Sequence, residues 1–210
     1  MTIHSLHPSA VAPPRRSVAI VLFDEVEVLD FAGPFEVFSV CGRRSQLDPF
    51  DVYTVSERGQ TIRARNGLVV TPLHSFASAP APDIVVVPGG FGTRREMKNP
   101  VMLEWVARAG SASQLLLSVC TGALILACAG HLDGLDVTTH HLALEELRAV
   151  APRSTLREGA RIVDNGRVVL SSGVSAGIDM SLHVVARLLG DDLALETARY
   201  MEYEGDWRRA

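Results

Sequence analysis

The sequence predicts an α/β sandwich with a mostly parallel sheet and helices on both faces. Near-continuous apolar, β-branched runs read as strands buried on both sides. Segments of helical periodicity alternate with them, which is the order of a parallel sheet built from crossovers. No repeat, low-complexity tract or linker interrupts residues 17–205, so a single domain over 17–210 accounts for the chain.

Taken in order, Ser17-Val18-Ala19-Ile20-Val21-Leu22-Phe23 is the first strand, and a helical pattern from Gly33 to Val40 follows Asp30. Asp83 to Val87 is a strand broken by Pro88-Gly89-Gly90, with a helix over Val101 to Ala109 behind it. Gln114 to Val119 is a strand that runs into Cys120-Thr121-Gly122, and Thr121 to Ala129 continues as a helix. The short run Asp136-Val137-Thr138-Thr139 precedes His140-His141 and a helix over Leu142 to Val150. Arg161-Ile162-Val163 and Val168-Val169-Leu170 flank Asn165-Gly166, a hairpin signal. Ala176 to Leu189 and Asp191 to Tyr203 are the last helices. In such folds the ligand sits beyond the carboxyl ends of the strands, where Asp30, Gly89-Gly90, Cys120 and His140-His141 all fall.

Composition narrows the function. With 210 residues and a 47% hydrophobic fraction, the chain builds a substantial core with little room for long disordered tracts. A net charge of −4 with scattered Lys and Arg argues against a polyanion-binding surface, so no direct nucleic-acid partner is expected. Cys41, Cys120 and Cys128 match no zinc spacing, and an odd count suits reduced thiols. Residues 1–16 lack a signal-peptide core and read as a loose N-terminal extension. The apolar stretch Leu115 to Ala129 falls short of the ~20 residues of a spanning helix, so a soluble, cytoplasmic protein with no membrane partner is expected.

Cys120 is the candidate nucleophile. A thiol at a strand-to-helix turn faces unpaired backbone N–H groups at the helix start, which favour thiolate. An inert packing cysteine is the competing reading, and it suits Cys41 and Cys128, which sit in helical apolar patterns. Gly89-Gly90 lets backbone approach a ligand and present an N–H to developing negative charge, although Pro-Gly-Gly is also an ordinary turn. Asp30 has helix capping as its simplest role, and a carboxyl in apolar surroundings also suits proton transfer. Its neighbours Asp24, Glu25 and Glu27 read as a solvated loop, and Asp179 as a helix-start charge. His140 and His141 stand in tandem, so at most one is expected to face the cleft.

Five stretches together resemble the ThiJ/PfpI superfamily over about Val18 to Tyr203. They are Phe23 to Pro34, Val87-Pro88-Gly89-Gly90, Ser118-Val119-Cys120-Thr121-Gly122 with Leu126-Ala127 and Ala129-Gly130, Val137-Thr138-Thr139-His140, and Ser175-Ala176-Gly177-Ile178-Asp179. Within it, the Leu-Asp-x-x-Gly-Pro and Ser-Val-Cys-Thr-Gly forms look like isonitrile hydratases and the amidase-like domain of AraC-type regulators. The resemblance implies a class I glutamine amidotransferase-like (flavodoxin-like) fold, usually dimeric, with the cysteine on a strained nucleophile elbow. It implies Cys120 as nucleophile, Asp30 as the acidic partner of the thiol, Thr121 as the hydratase residue after the cysteine, and the N–H groups of Gly90 and Thr121 as an oxyanion site. His140 matches the histidine of a Thr-Thr-His-Trp motif, with His141 replacing the tryptophan. Gly89, Phe91, His140 and His141 are the expected pocket residues.

The activity implied is hydration of an isonitrile to an N-substituted formamide, with no metal or organic cofactor. A thiol sensor or small-ligand-binding regulator is the alternative. Direct operator binding is not expected, because the residues from Glu204 to Ala210 are too few for a DNA-binding module.

Overall fold

The structure is a computed structural model that describes residues 15–205 and Trp207, so residues 1–14 of the expected extension lie outside the described residues. The chain enters at β1 (Arg16–Val21), one residue ahead of the expected boundary. It passes through α1 (Val28–Val40), β2 (Phe50–Ser56), the hairpin of β3 (Ile62–Arg63) and β4 (Val69–Val70), and β5 (His74–Ser75). Next come β6 (Ile84–Val87), the single turn α2 (Thr93–Glu96), α3 (Pro100–Ala112), β7 (Leu115–Val119) and α4 (Gly122–Cys128). After β8 (Asp136–Val137), a 3-10 turn (His141–Ala143) leads into α5 (Leu144–Val150), followed by β9 (Thr155–Leu156). The chain finishes with β10 (Ile162–Asp164), β11 (Val168–Ser171), α6 (Ala176–Leu189) and α7 (Asp191–Tyr200).

The seven-stranded sheet has the order β10-β11-β7-β6-β1-β2-β5 and is parallel except for the β10–β11 hairpin. Fold class and hairpin follow the sequence reading. β2 does not, because Phe50-Asp51-Val52-Tyr53-Thr54-Val55 mixes polar with apolar residues instead of reading as a continuous apolar run. It nevertheless pairs with β1 along its length, from Arg16↔Phe50 to Val21↔Val55. Helix α1 also differs, beginning at Val28 rather than Gly33.

Leu116 of β7 meets Gly110 of α3, while Val119, three positions on, meets Gly177 of α6. Side chains alternate across a strand, so these helices cover opposite faces. The helices α1, α6 and α7 pack with one another, and so do α3, α4 and α5 through α4. Asn99 caps α3 by accepting the Val101 N–H at 3.1 Å, with Pro100 at the first helical position, where its missing N–H costs nothing.

What this architecture supplies to function is a rim. The neighbour of β1 on one side is β2, reached through α1, while β6 and β7 lie on the other, so the connections diverge between β1 and β6. The carboxyl ends of β1, β6 and β7 therefore border one crevice. Among the described residues no helix is long and apolar enough to cross a membrane. The apolar stretch that ends at Ala129 is instead β7, a turn and α4.

Leu117 lies in the centre of the sheet with no exposed surface. Leu117→Ala is expected to lower the unfolding free energy by about 3 kcal/mol, read as a lower urea midpoint at unchanged slope.

Candidate active site

Cys120 occupies the turn between β7 and α4 with φ of +57°, in the left-handed region where a side chain is strained by about 1 kcal/mol. Hydrogen bonds hold it there. Its N–H is shared between the Ser171 and Ser172 carbonyls, each at 3.1 Å, and its carbonyl accepts the Thr139 hydroxyl at 2.8 Å. Gly122, two residues on, lies so close to the end of β6 that a Cβ would overlap the Val87 carbonyl oxygen. The elbow expected from the sequence is thus locked from three sides.

Asp30 is not a cap. Glu27 is the N-cap residue of α1, and Asp30 is third in the helix, fully buried. Its Oδ2 accepts the Gly89 N–H at 3.0 Å, and among the described residues the group facing the rest of the carboxyl is the Cys120 thiol. Gly89 is wedged between the two functional segments: a Cβ there would stand 2.6 Å from the Thr121 nitrogen and 2.8 Å from Asp30 Oδ2. Only glycine fits.

Burial raises the Asp30 carboxyl from 3.8 to about 7, against the pull of the Gly89 N–H and the neighbouring Cys120 thiol. Burial first, and then the Asp30 charge, push the Cys120 thiol up to about 12, while the N–H groups of Thr121 and Val174 pull it down. The N–H groups at the helix start favour thiolate as expected, but burial and the Asp30 charge outweigh them. Once the first proton has left, thiol and carboxyl hold one proton between them, so they titrate as a pair.

The Thr121 hydroxyl accepts the Gly90 N–H at 3.0 Å and contacts the Gly90 carbonyl at 3.2 Å. Buried Thr93 braces both, with its hydroxyl 2.7 Å from the Gly90 carbonyl oxygen and 3.2 Å from Thr121 Oγ1. The Gly90 N–H, expected to face an oxyanion, is therefore spent on Thr121. The N–H groups that reach the Cys120 sulfur are those of Thr121 and Val174. Val174 is a residue the sequence reading missed, and at φ of +47° it is strained as a β-branched residue. Its only sequence signal is the Ser171-Ser172-Gly173 break after an apolar strand.

The thiol opens onto a pocket of about 180 Å³ walled by Glu27, Gly90, Phe91, Arg94, His140 and Leu142. His140 joins it as expected; its Nδ1 accepts the Leu142 N–H at 3.3 Å, and burial, with His141 and Arg94 nearby, lowers its pKa. His141 does not join. It lines an adjoining recess of about 290 Å³ with Thr138, Ala160 and Ser172, and His140, whose ring lies 4.3 Å from that of His141, borders both cavities. Phe91 stands at the mouth with Arg65 stacked on its ring at 4.0 Å, and Arg65 is held by Glu25 at 2.8 Å. Arg94 forms a two-pronged pair with Glu146 at 2.9 and 2.6 Å. Glu27, read from sequence as part of a solvated loop, turns out to be a pocket wall.

Of the remaining candidates, Asp179 is buried with Arg161 and the Tyr203 hydroxyl as partners. Cys41 is buried away from the pocket and pushed up to about 11 by burial. Among the described residues no group of three or more His, Cys, Asp or Glu is placed to hold a metal ion.

Residues 16–187 match the DJ-1/PfpI family. The chain is 30% identical to an isonitrile hydratase of Pseudomonas putida, over 89% of this chain and 78% of that protein. It is 31% identical to the HTH-type transcriptional regulator GbdR of Pseudomonas aeruginosa, over 90% of this chain but only 51% of the regulator, so it spans about half of that relative. Among solved structures, a ThiJ/PfpI family protein from Pseudomonas syringae superposes with a TM-score of 0.82 at 26% identity, covering 96% of this chain and 85% of that one. Family match, sequence relatives and fold neighbour agree, and the chain belongs to the DJ-1/PfpI family.

Proposed function

We propose that this protein is a cysteine-dependent hydratase that adds water to a small isonitrile to give an N-substituted formamide. The observation that carries the reading is a fully buried Asp30 set against the Cys120 thiol, beside a pocket of only about 180 Å³ onto which the thiol opens. A pocket this small admits a compact electrophile. Similarity to the isonitrile hydratase supports the choice of electrophile.

In this mechanism Asp30 as carboxylate takes the Cys120 proton as sulfur attacks the terminal carbon, and the proton passes to that carbon. A thioimidate forms. Water then adds across its carbon–nitrogen bond, oxygen to carbon and hydrogen to nitrogen, with Asp30 relaying the proton. Collapse of the adduct breaks the carbon–sulfur bond, and sulfur recovers its proton as the formamide leaves. Thr121 acts through the loop: its hydroxyl fixes Gly90, and the adjoining Gly89 N–H fixes Asp30. The Thr121 and Val174 N–H groups favour negative charge on sulfur when it departs.

A second reading, a ligand-binding or thiol-sensing regulatory protein, is favoured by the 31% identity to GbdR. Product formation separates the two. Wild type incubated with an alkyl isonitrile is expected to yield the N-alkylformamide by mass spectrometry. Cys120→Ala is expected to yield none while keeping its circular dichroism; formamide from that variant would remove the thiol from the mechanism.

Turnover requires that the pair has lost one proton, so kcat/KM is expected to rise as pH passes the Asp30 value of about 7 and then to level off. A profile flat from pH 5 to 9 would contradict the role of Asp30. The same shift fixes a stability effect. A carboxyl raised from 3.8 to about 7 binds its proton more tightly in the folded state, so stability is lost as pH rises through that window. Asp30→Asn is therefore expected to abolish turnover yet unfold at a higher temperature than wild type at pH 8, by as much as about 4 kcal/mol. The gap should close near pH 4, and thermal melts at the two pH values read it directly.

A further inference from the structure

Glu27 is the one wall of the pocket whose charge has no evident business there. A residue at the N-cap of α1 is placed for its side chain to accept a helix N–H, yet Glu27 makes no such capping bond. Its carboxylate is half-buried and lines the same cavity as Cys120. Among the described residues no hydrogen bond or ion pair engages it, whereas the neighbouring acids are all used: Asp24 accepts the Arg63 N–H at 2.7 Å and Glu25 pairs with Arg65. The cationic wall residue Arg94 is engaged by its two-pronged contact with Glu146, although its charge still reaches His140. The field of Glu27 reaches both Asp30 and His140, so it acts across the reacting region. A half-buried carboxylate without a protein partner is free to take its counter-charge from a ligand bound in the cavity it lines.

We propose that Glu27 is a specificity-determining residue of the Cys120 pocket, selecting small substrates that carry a positively charged nitrogen near the electrophilic carbon and disfavouring anionic ones. The proposal rests on Cys120 reacting with a molecule bound in this pocket, the site of the reading above, and not on the identity of the reaction. Phe91 shares the mouth with Glu27, but one face of its ring is already taken by Arg65, so the carboxylate is what distinguishes a cation from an anion here.

The test uses three methanethiosulfonates of matched size with the full-length protein: a trimethylammonioethyl, a propyl and a sulfonatoethyl reagent. Modification of Cys120 is followed by peptide mass mapping, which separates it from Cys41 and Cys128, and each rate is divided by that of N-acetylcysteine. In wild type the cationic reagent is expected to react roughly tenfold faster than the anionic one, the size of effect one nearby carboxylate exerts in a partly wet cleft. Glu27→Gln keeps the shape and is expected to bring the ratio close to one. Glu36→Gln removes the same charge from an exposed position on α1 and is expected to leave the ratio as in wild type. A wild-type ratio near one, or a ratio unchanged in Glu27→Gln, would overturn the proposal, as would failure of all three reagents to reach Cys120. Failure of the hydratase reading looks different: no formamide is made while the charge preference persists.

Discussion

A carboxyl group held out of water beside a thiol, with one proton to divide between them, is the constraint on which the rest of the site depends. Among the described residues neither Asp30 nor Cys120 has a cationic partner, so no salt bridge there stabilises either as an anion. What limits their charge is burial, and what tolerates it is backbone: the Gly89 N–H for the carboxyl, the Thr121 and Val174 N–H groups for the sulfur. Such donors are fixed by the fold rather than by side-chain rotamers, so they cost no reorganisation when charge moves from one atom to the other.

The sheet makes that arrangement achievable. Three of its parallel strands end at the same rim, and each is followed by a turn that contributes a different part. The turn after β1 leads into α1 and its Asp30, the turn after β6 supplies Gly89 and Gly90, and the turn after β7 is the elbow itself. None of these parts is near another in sequence, and none works alone. Their registration comes from the β1–β6 and β6–β7 ladders, Val18↔Ile84 and Ile84↔Leu115 among their pairs.

Much of this was legible in the residues. The buried strands announced themselves because a parallel strand is apolar on both faces, and Cys120-Thr121-Gly122 marked the elbow because an apolar strand meets an apolar helix there. β2 was not legible as such, since Asp51 and Thr54 interrupt its apolar residues and Val52-Tyr53 breaks a strict alternation, leaving neither strand pattern clean. The start of α1 was misplaced because Gly33 and Pro34 look like a helix beginning, whereas both lie inside the helix; Gly33 is needed there for contact with Ile178. His141 and Glu27 changed places as pocket residues for a simpler reason. Which of two adjacent side chains faces a cavity depends on a local turn, and local turns are the least patterned part of a chain. Val174 could not have been found at all by residue type, because what it contributes is a main-chain N–H.

The close approach at Gly89 has a consequence for how this protein can diversify. Behind the pocket, Gly89 is packed so tightly between Thr121 and Asp30 that a single added carbon would displace one of them. The outer wall is built from side chains such as Phe91 and Leu142 that project into solvent. Mutational drift is therefore partitioned by depth. Changes at the entrance can retune which molecules are admitted without moving the thiol or its carboxyl, so new substrate ranges are reachable in single steps while the reacting pair stays where the sheet puts it.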